Sequence, residues 1–551
     1  MLYKKTLVNS QGLFCKSRRL FLKRQGLFCK PKAADKFCTM MSTKKTLIAL
    51  FAKNKTSHLE DKIFDGKSAF DLSKEWASSF DNASVCVFGQ NKDYTIHTLL
   101  LDLAQKAKDE NASRVMFAFA DLPFLNKKLS EEILETHEKY ASEYTFADGY
   151  IDGLAPEVID TGSLNLLCSL TSPEGLQSAL GEKEVSRDVI FSVIKTDINS
   201  FEIESVLAPK DFRQYRLRLS CDTKANTLAC KKLFEATKAK KSESDAVKIC
   251  EDACNDEDIL HTLPAYYRIQ LTQAVDANDI YTPYPHIYKK NTGIFPKEAT
   301  KEKKVLSMDF ANFERLVKDI SDFSENAVIS LSFGGEPLLY ADFEKAVSCV
   351  LSYPKLSLLI ETSGYGVTEE MAKRISEIRK DVMWIVSIDA TDEAMYKKLH
   401  EECNEGAYSK AIAAVGILTK YFSKNVYPQF LRIKENEEQL EAFFRFWKEA
   451  ASPSAGNVVI QKYDHCCKML ADNKVADLSP LERFPCWHLR RDFIVLADGR
   501  VPLCQEWQTE GDFIGNVFEE GIEALWAKSK TSKILFTDKC SLCDEYYTFN
   551  F

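Results

Sequence analysis

The chain has 551 residues, of which 45% are hydrophobic and 28% charged, the composition of an ordinary globular protein with more than one domain. Its formal net charge of −8 argues against a general nucleic-acid-binding protein. No apolar run approaches the roughly 20 residues that a membrane-spanning helix needs. We therefore expect neither a nucleic acid nor a membrane as a partner.

The first 43 residues differ from the rest of the chain in charge. Residues 1–40 contain ten Lys or Arg and one acid, Asp35, and they lack the apolar region of a secretory signal. We expect either a basic tail without stable structure over 1–43 or a true first residue at Met40 or Met41. Seventeen cysteines without a signal favour a cytoplasmic protein with mostly reduced, buried thiols.

Residues 44–240 alternate between patterns typical of strands and of helices, which predicts a layered α/β domain. The predicted strands are Thr46–Ala52, Ser84–Gly89, Ser113–Asp121 and Arg216–Asp222. The predicted helices are Thr95–Asn111, one that begins at Ser130, and Thr223–Lys238.

Two strand ends in this region, one at Asp121 and one at Asp222, resemble those of nucleotidyltransferases with the Rossmann-like GT-A fold. The resemblance implies that Asp121, with Asp222 as a second candidate, helps to hold a divalent metal on nucleotide phosphates. However, residues 52–58 contain no glycine, so the usual loop that cradles phosphate with backbone N–H groups is missing. A degenerate, structural domain is favoured over an active transferase, and Asp121 could also be a simple turn residue.

Residues 241–262 are charged and are predicted to be a linker with helical character, and residues 263–470 return to a regular β/α alternation. The six predicted strands are Tyr267–Thr272, Ala327–Phe333, Ser357–Thr362, Met383–Ile388, Tyr427–Lys434 and Asn457–Lys462. Five amphipathic helices are predicted at Phe310–Ile320, Phe343–Leu351, Thr368–Ile378, Ala407–Tyr421 and Asn436–Ala450.

The sequence Gly334-Gly335-Glu336-Pro337 after the second of these strands resembles the GGEP motif of the radical S-adenosylmethionine superfamily. The resemblance implies a partial (β/α)6 barrel in which this motif contacts the amino group of the methionyl moiety. The family's Cys-x3-Cys-x2-Cys motif is absent, because Val275, Asp279 and Thr282 fall at its three positions. Val and Thr cannot replace a thiolate as an iron ligand, so we expect no radical chemistry, and S-adenosylmethionine binding is not expected either. The GGEP residues could be retained for turn geometry or for residual cofactor binding.

Residues 471–551 contain four cysteines on two arms: Cys486, Cys504, Cys540 and Cys543. In a reducing compartment this usage favours a metal or iron–sulfur site over disulfides. The spacing Cys486-x12-Gly499-x4-Cys504 resembles the β-hairpin that begins a SPASM module, and the four thiols are enough for one [4Fe–4S] cluster. Zinc and reduced core thiols are the alternatives. Either thiol of the pair Cys466 and Cys467 could be a substitute ligand, whereas His488 is expected to be a packed or surface histidine.

The combination of these three regions resembles the spiro-SPASM protein family over about residues 44–551. It implies a cytosolic iron–sulfur protein with a catalytically inactive barrel and a role in electron transfer or recognition. Two other functions stay open: a nucleotidyltransferase or nucleotide-sugar enzyme that works through Asp121 and Asp222, and a zinc-stabilised scaffold for a partner protein. The sequence names neither the partner protein nor a small-molecule substrate.

Overall fold

The structure is a computed structural model that describes residues 45–53, 58–240, 245–283, 305–476, 486–506, 513–531 and 538–543. The tail predicted over 1–43 lies outside these residues. Two parallel-rich sheets organise the described part of the chain, in which no helix has the length and apolar character needed to cross a membrane.

The strands of the first sheet are β1 (Thr46–Phe51), β2 (Ala83–Phe88), β3 (Arg114–Phe119), β4 (Tyr144–Asp148), β5 (Glu157–Asp160) and β6 (Ile203–Leu207). Their order across the sheet is β2-β1-β3-β5-β4-β6, with β5 antiparallel to both of its neighbours. Every residue of β1 and β3 is buried, as expected for central strands that are covered on both faces. The helices of this domain are Ala69–Ser78, Ile96–Asp109, Lys127–Tyr140, Thr161–Thr171, Ser178–Gly181, Val189–Ile194 and Lys224–Lys240.

Two sequence-based predictions for this domain are wrong in detail. The helix expected from Ser130 begins at Lys127, because the side chain of Asn126 accepts a hydrogen bond from the Leu129 N–H and caps the helix. Ser130 is instead fully buried and donates to the Asn126 carbonyl. The segment predicted as the strand Arg216–Asp222 contributes only an isolated bridge between Asp152 and Arg218.

The charged stretch predicted as a linker is helical and packs against the N-terminal core. Its helices are Ala246–Cys254 and Glu257–Leu260. Ile249, Cys250, Ala253 and Ile259 belong to the same buried cluster as β1 and β3. Most of the charges are exposed, although Asp252 is buried, and the apolar residues between them make these helices part of a folded unit.

The second sheet contains all six strands predicted for the barrel. They are β7 (Tyr266–Ile269), β9 (Ala327–Ser330), β10 (Leu356–Thr362), β11 (Met383–Ser387), β13 (Val426–Arg432) and β14 (Val459–Lys462), with two-residue strands β8 (Asn278–Asp279) and β12 (His400–Glu401) pairing outside this sheet. The helices are Phe310–Ser324, Phe343–Leu351, Glu369–Ile378, Glu393–Leu399, Ala407–Phe422 and Leu440–Lys448.

A seventh strand, which the sequence did not predict, extends this sheet beyond β7. Strand β15 (Asp492–Val495) pairs with β7 in parallel, so the order is β14-β13-β11-β10-β9-β7-β15. The C-terminal region then forms an antiparallel pair, β16 (Arg500–Pro502) and β17 (Phe513–Asn516), followed by short helices. These helices are Val517–Glu520, Ile522–Thr531 and Asp538–Leu542.

Candidate functional site

Cys486 and Cys504 flank in sequence a tight turn at which a side chain on Gly499 would clash. Gly499 has φ +85°, and a Cβ at this position would lie 2.3 Å from the ring of Phe518 and 2.4 Å from Asn516 Oδ1. The turn is closed by hydrogen bonds between Leu496 and both Gly499 and Arg500. The predicted turn is therefore present, but its arms join different sheets, since β15 pairs with β7 and β16 with β17.

Three of the four predicted ligands are electrostatic neighbours. Burial and then the nearby thiol of Cys543 raise the pKa of Cys486 to about 12. Burial, Glu506, Cys486 and Cys543 raise the pKa of Cys504 well above its ordinary value. Cys540 is one turn before Cys543, whose N–H donates to the Cys540 carbonyl at 3.2 Å. The structure thus makes Cys486, Cys504 and Cys543 electrostatic neighbours, and Cys540 lies three residues before Cys543.

The surroundings of these sulfur atoms fit a metal-bound thiolate. Backbone N–H groups of His488 and Leu489 point at Cys486, and the Glu506 N–H donates to Cys504 Sγ at 3.5 Å. Donors of this kind stabilise the charged form of a thiol and tune iron–sulfur clusters. Metals and clusters bind thiolates, so binding displaces the thiol protons. The donor set fits either a [4Fe–4S] cluster or zinc.

His488, considered in the sequence as a possible ligand, is held by a carboxylate. Its Nδ1 lies 2.7 Å from Asp492 Oδ2, and the residue is buried. Burial alone would raise the pKa of Asp492, but hydrogen bonds from His488 and Arg491 lower it to about 2. This agrees with the predicted role as a packed histidine.

The GGEP motif of the barrel lies at the carboxyl end of β9, and its glycines are needed for a close backbone approach. A Cβ on Gly335 would lie 1.9 Å from the Thr272 carbonyl oxygen, and Gly334 has φ +69°. Glu336 is buried and caps the short turn at Pro337–Leu339. These contacts alone account for the motif as a structural turn.

The Glu336 carboxylate is already occupied by hydrogen bonds from within the barrel. It accepts from the Leu338 N–H at 3.1 Å, from the Thr362 hydroxyl at 2.7 Å and from the Ser363 N–H at 2.9 Å. Burial and the nearby Asp276 raise its pKa to about 7. Its acceptor capacity is therefore largely used before any ligand arrives.

The loop after β7, where the cluster cysteines of the family would be, is fastened to the barrel by side chains. Asp276 accepts a hydrogen bond from the Ser363 hydroxyl at 2.6 Å, and Tyr281 donates to Asp389 Oδ2 at 2.8 Å. His400 Nδ1 lies 2.6 Å from Asp279 Oδ1. Asp279, predicted to occupy the second cysteine position, is thus a partner in an ion pair. Val275 is exposed and Thr282 half-buried.

His400 lies between two carboxylates and two aromatic rings. Its Nε2 is 3.6 Å from Asp389 Oδ2, Tyr396 stacks on it at 4.2 Å, and the Tyr281 ring meets it edge-on at 5.7 Å. Burial would lower the pKa of His400, but Asp279 and then Asp389 outweigh burial, so the pKa is raised. The two carboxylates therefore favour the charged form of the His400 ring, which fastens the loop through Asp279.

This arrangement predicts a pH-dependent stability. A raised histidine pKa stabilises the fold fully below the unfolded value of about 6.5, and the contribution is lost as the pH rises through the folded value. The melting temperature of the unaltered protein should exceed that of His400→Gln most at pH 6 and progressively less towards pH 9. Asp279→Asn should shrink this pH dependence as well. A difference that grows with pH would contradict the assignment of the charge to His400.

In the N-terminal domain the two predicted metal ligands do come together, but an arginine lies between them. Arg187 binds Asp121 through two hydrogen bonds of 2.8 and 2.5 Å, and its Nη2 lies 3.0 Å from Asp222 Oδ2. The guanidinium also stacks over Phe119 at 4.5 Å. The charges of the two carboxylates are therefore balanced by the guanidinium of Arg187, a cation of the chain itself.

Sequence reasoning missed Arg187, Asp276 and His400. Arg187 is more than 30 residues from either carboxylate, and no motif marks it. Asp276 lies between two of the positions aligned with the cluster cysteines, where a carboxylate could have been recognised as a functional or structural partner. His400 follows a helix with no pattern that would distinguish it from a surface histidine.

Comparison with known proteins gives two domain matches. Residues 286–446 match the Radical SAM superfamily, and residues 486–545 match SPASM, described as an iron–sulfur cluster-binding domain. An uncharacterized protein of Treponema pallidum (strain Nichols) is 37% identical over 386 residues, which cover 66% of this chain and 98% of the relative. The chain belongs to the family of this Treponema protein. Its radical SAM and SPASM domains are the parts with a described family.

Three solved structures are similar at low identity. BtrN in complex with AdoMet and 2-DOIA has a TM-score of 0.32 and 18% identity, covering 52% of this chain and 94% of BtrN. Streptococcus suis SuiB bound to its precursor peptide SuiA has a TM-score of 0.40 and 13% identity, covering 70% and 87%. A cytidylyltransferase from Leptospira borgpetersenii has a TM-score of 0.32 and 16% identity, covering 39% and 96%.

Proposed function

We propose that this protein binds one [4Fe–4S] cluster through Cys486, Cys504, Cys540 and Cys543, and that its barrel does no radical chemistry. Its role is then electron transfer or recognition of a partner protein or small molecule. Within the family of the Treponema protein we assign it to the spiro-SPASM group. One observation carries the proposal of an inactive barrel: the loop after β7 has no cysteine and is tied to the barrel through Asp279 and His400.

The barrel lacks the protein ligands that a cluster for radical chemistry needs. A [4Fe–4S] cluster that binds S-adenosylmethionine needs three protein thiolates and one open iron, and the described loop offers at the second position a carboxylate that is paired with the His400 ring. Three internal hydrogen bonds use most of the acceptor capacity of Glu336, which supports the absence of S-adenosylmethionine binding. The four C-terminal thiols would fill all four irons of a cluster and leave no open site.

Metal analysis of the anaerobically purified protein tests this proposal. We expect about four iron and four sulfide per chain. The cysteine spacing and the N–H donors at Cys486 and Cys504 support this expectation. A colourless protein with stoichiometric zinc would replace the cluster with a zinc-stabilised scaffold for a partner protein.

The second candidate function is a nucleotidyltransferase or nucleotide-sugar enzyme. What favours it is the convergence of Asp121 and Asp222 at one edge of the first sheet. What opposes it is Arg187, whose guanidinium lies where a divalent metal would bind both carboxylates. The degenerate domain is therefore the interpretation that we adopt.

A thermal-shift measurement separates these two functions. CTP or a nucleotide-sugar with Mg²⁺ should not raise the melting temperature, because a ligand stabilises only a fold that binds it. Arg187 is already in the metal position. If a shift appears and is lost in Asp121→Ala, the transferase is the better assignment.

A further inference from the structure

A second group of metal-binding side chains lies beside the C-terminal cysteines. One carboxylate oxygen of Asp464, one of Glu506 and the sulfur of Cys466 all lie within 4.8 Å of one another. Glu506 is buried, and the other two residues are half-buried. The three donors come from two separate chain segments, so local sequence alone does not bring them together.

The position of this group in the fold is that of a functional site. Asp464 and Cys466 follow β14, at the carboxyl end of the last barrel strand, which is the edge where β/α barrels place their sites. Glu506 follows Cys504 by two residues and donates its N–H to that sulfur. The group therefore joins the segment after the last barrel strand to the segment that carries Cys504.

The backbone around Cys466 is held in an unusual conformation. Cys466, Cys467 and Lys468 have φ values of 50°, 52° and 68°, which L-residues rarely adopt in succession. The Cys466 N–H donates to Asp464 Oδ1 at 2.8 Å and fixes the carboxylate next to the thiol. Such conformations persist where the surrounding structure imposes them, and they are concentrated at functional sites.

The chemistry of the donors selects the metal. Calcium and magnesium take oxygen ligands, whereas two carboxylates with one thiolate suit a borderline transition metal such as Zn²⁺ or Fe²⁺. Ligand atoms on one tetrahedral zinc are about 3–4 Å apart, so donors within 4.8 Å need only a side-chain adjustment. Three protein ligands leave one coordination position open, which is the pattern of catalytic and not of structural zinc sites.

We propose that Asp464, Cys466 and Glu506 form a mononuclear site for Zn²⁺ or Fe²⁺ with one open position, between the barrel and the SPASM domain. This site is separate from the four-cysteine site and takes none of its ligands. A small molecule or a partner side chain with an oxygen, nitrogen or sulfur donor would complete its coordination.

The test uses Co²⁺ as a spectroscopic substitute for zinc on the full chain, purified anaerobically. Titration should give about one additional Co²⁺ per chain and a thiolate-to-cobalt absorption band in the difference spectrum. Cys466→Ser should abolish this band and Glu506→Gln should weaken binding at least tenfold. Cys467→Ser is the matched control, since it removes the neighbouring thiol, and it should bind Co²⁺ like the unaltered protein.

Iron and sulfide contents of each variant are measured in parallel. An unchanged sulfide content in Cys466→Ser, with loss of the cobalt band, supports the site and shows that the variant has folded. Loss of sulfide together with iron in Cys466→Ser would overturn the proposal, because Cys466 would then be a cluster ligand. Cobalt binding that is absent, or equal in Cys466→Ser and Cys467→Ser, would overturn it too. If the four cysteines hold zinc instead of a cluster, Cys466→Ser should still remove only the additional Co²⁺, so the two proposals fail separately.

Discussion

Replacing Cys504 by alanine should give a protein that is purified anaerobically without its brown colour and without stoichiometric iron and sulfide. Cys504 is the thiol closest to the glycine turn, and both Cys486 and Cys543 act on it electrostatically. A cluster that loses one of four protein ligands is held by three thiolates only, and in this domain no cofactor is expected to cover the exposed iron, so the cluster should be lost during purification. Absorption near 400 nm and iron and sulfide analysis measure the loss.

Cys86→Ala is the control for this variant. Cys86 is in β2, at the edge of the first sheet, and packs against the core of the N-terminal domain. Its removal should leave the colour and the iron content unchanged. Iron retained in Cys504→Ala, or lost equally in both variants, would contradict the four-cysteine assignment.

Replacing Arg187 by alanine should destabilise the N-terminal domain by about 3 kcal/mol or more, because removal of one partner leaves a buried charge uncompensated. Asp121 has a side chain only 6% exposed, and Asp222 would repel it once the guanidinium is gone. Thermal or urea unfolding, followed by far-UV circular dichroism, measures the change.

Arg213→Ala is the matched control in the same domain. Arg213 also pairs with two acids, Asp148 and Asp211, but its side chain is 58% exposed. Exposed ion pairs contribute from zero to about 1 kcal/mol. We therefore expect little change. If Arg187→Ala unfolds at the same temperature as Arg213→Ala, the guanidinium is not the counter-ion of the two carboxylates.

The regular elements could be predicted because their patterns are local. All six barrel strands form, and the helix predicted over Thr95–Asn111 is present at Ile96–Asp109, capped by Thr95. Strand β15 could not be predicted in its place, because its partner β7 precedes it by more than 220 residues. Pairing over that separation depends on tertiary packing, which periodicity does not encode.

The segment Arg216–Asp222 is predicted as a strand but does not form one. It runs beside Gly153, where a Cβ would lie 2.4 Å from the Leu219 carbonyl oxygen, and Cys221 donates its N–H to the Asp121 carbonyl. The chain is held by single hydrogen bonds to two different loops instead of by one ladder. A strand-like composition therefore produced an extended segment without a strand.

In the candidate sites, too, residues marked by local motifs could be predicted, and residues brought in by tertiary packing could not. The cysteines and the pair Asp121 and Asp222 could be named because motifs mark them, and the structure brings Asp121 and Asp222 together. What neutralises those carboxylates could not be named, since Arg187 approaches from a different part of the chain. The same holds for His400, which lies opposite Asp279 because β12 pairs with β8, two strands that are far apart in sequence.

The measurement that tests the central claim most directly is the release of 5′-deoxyadenosine. The purified, chemically reduced protein is incubated anaerobically with S-adenosylmethionine, and the products are separated by chromatography. Because Asp279 is paired with His400 where a cluster thiolate would be needed, we predict no 5′-deoxyadenosine above a control without protein. Release of 5′-deoxyadenosine by the unaltered protein, at a level that rises with protein concentration, would contradict the inactive barrel.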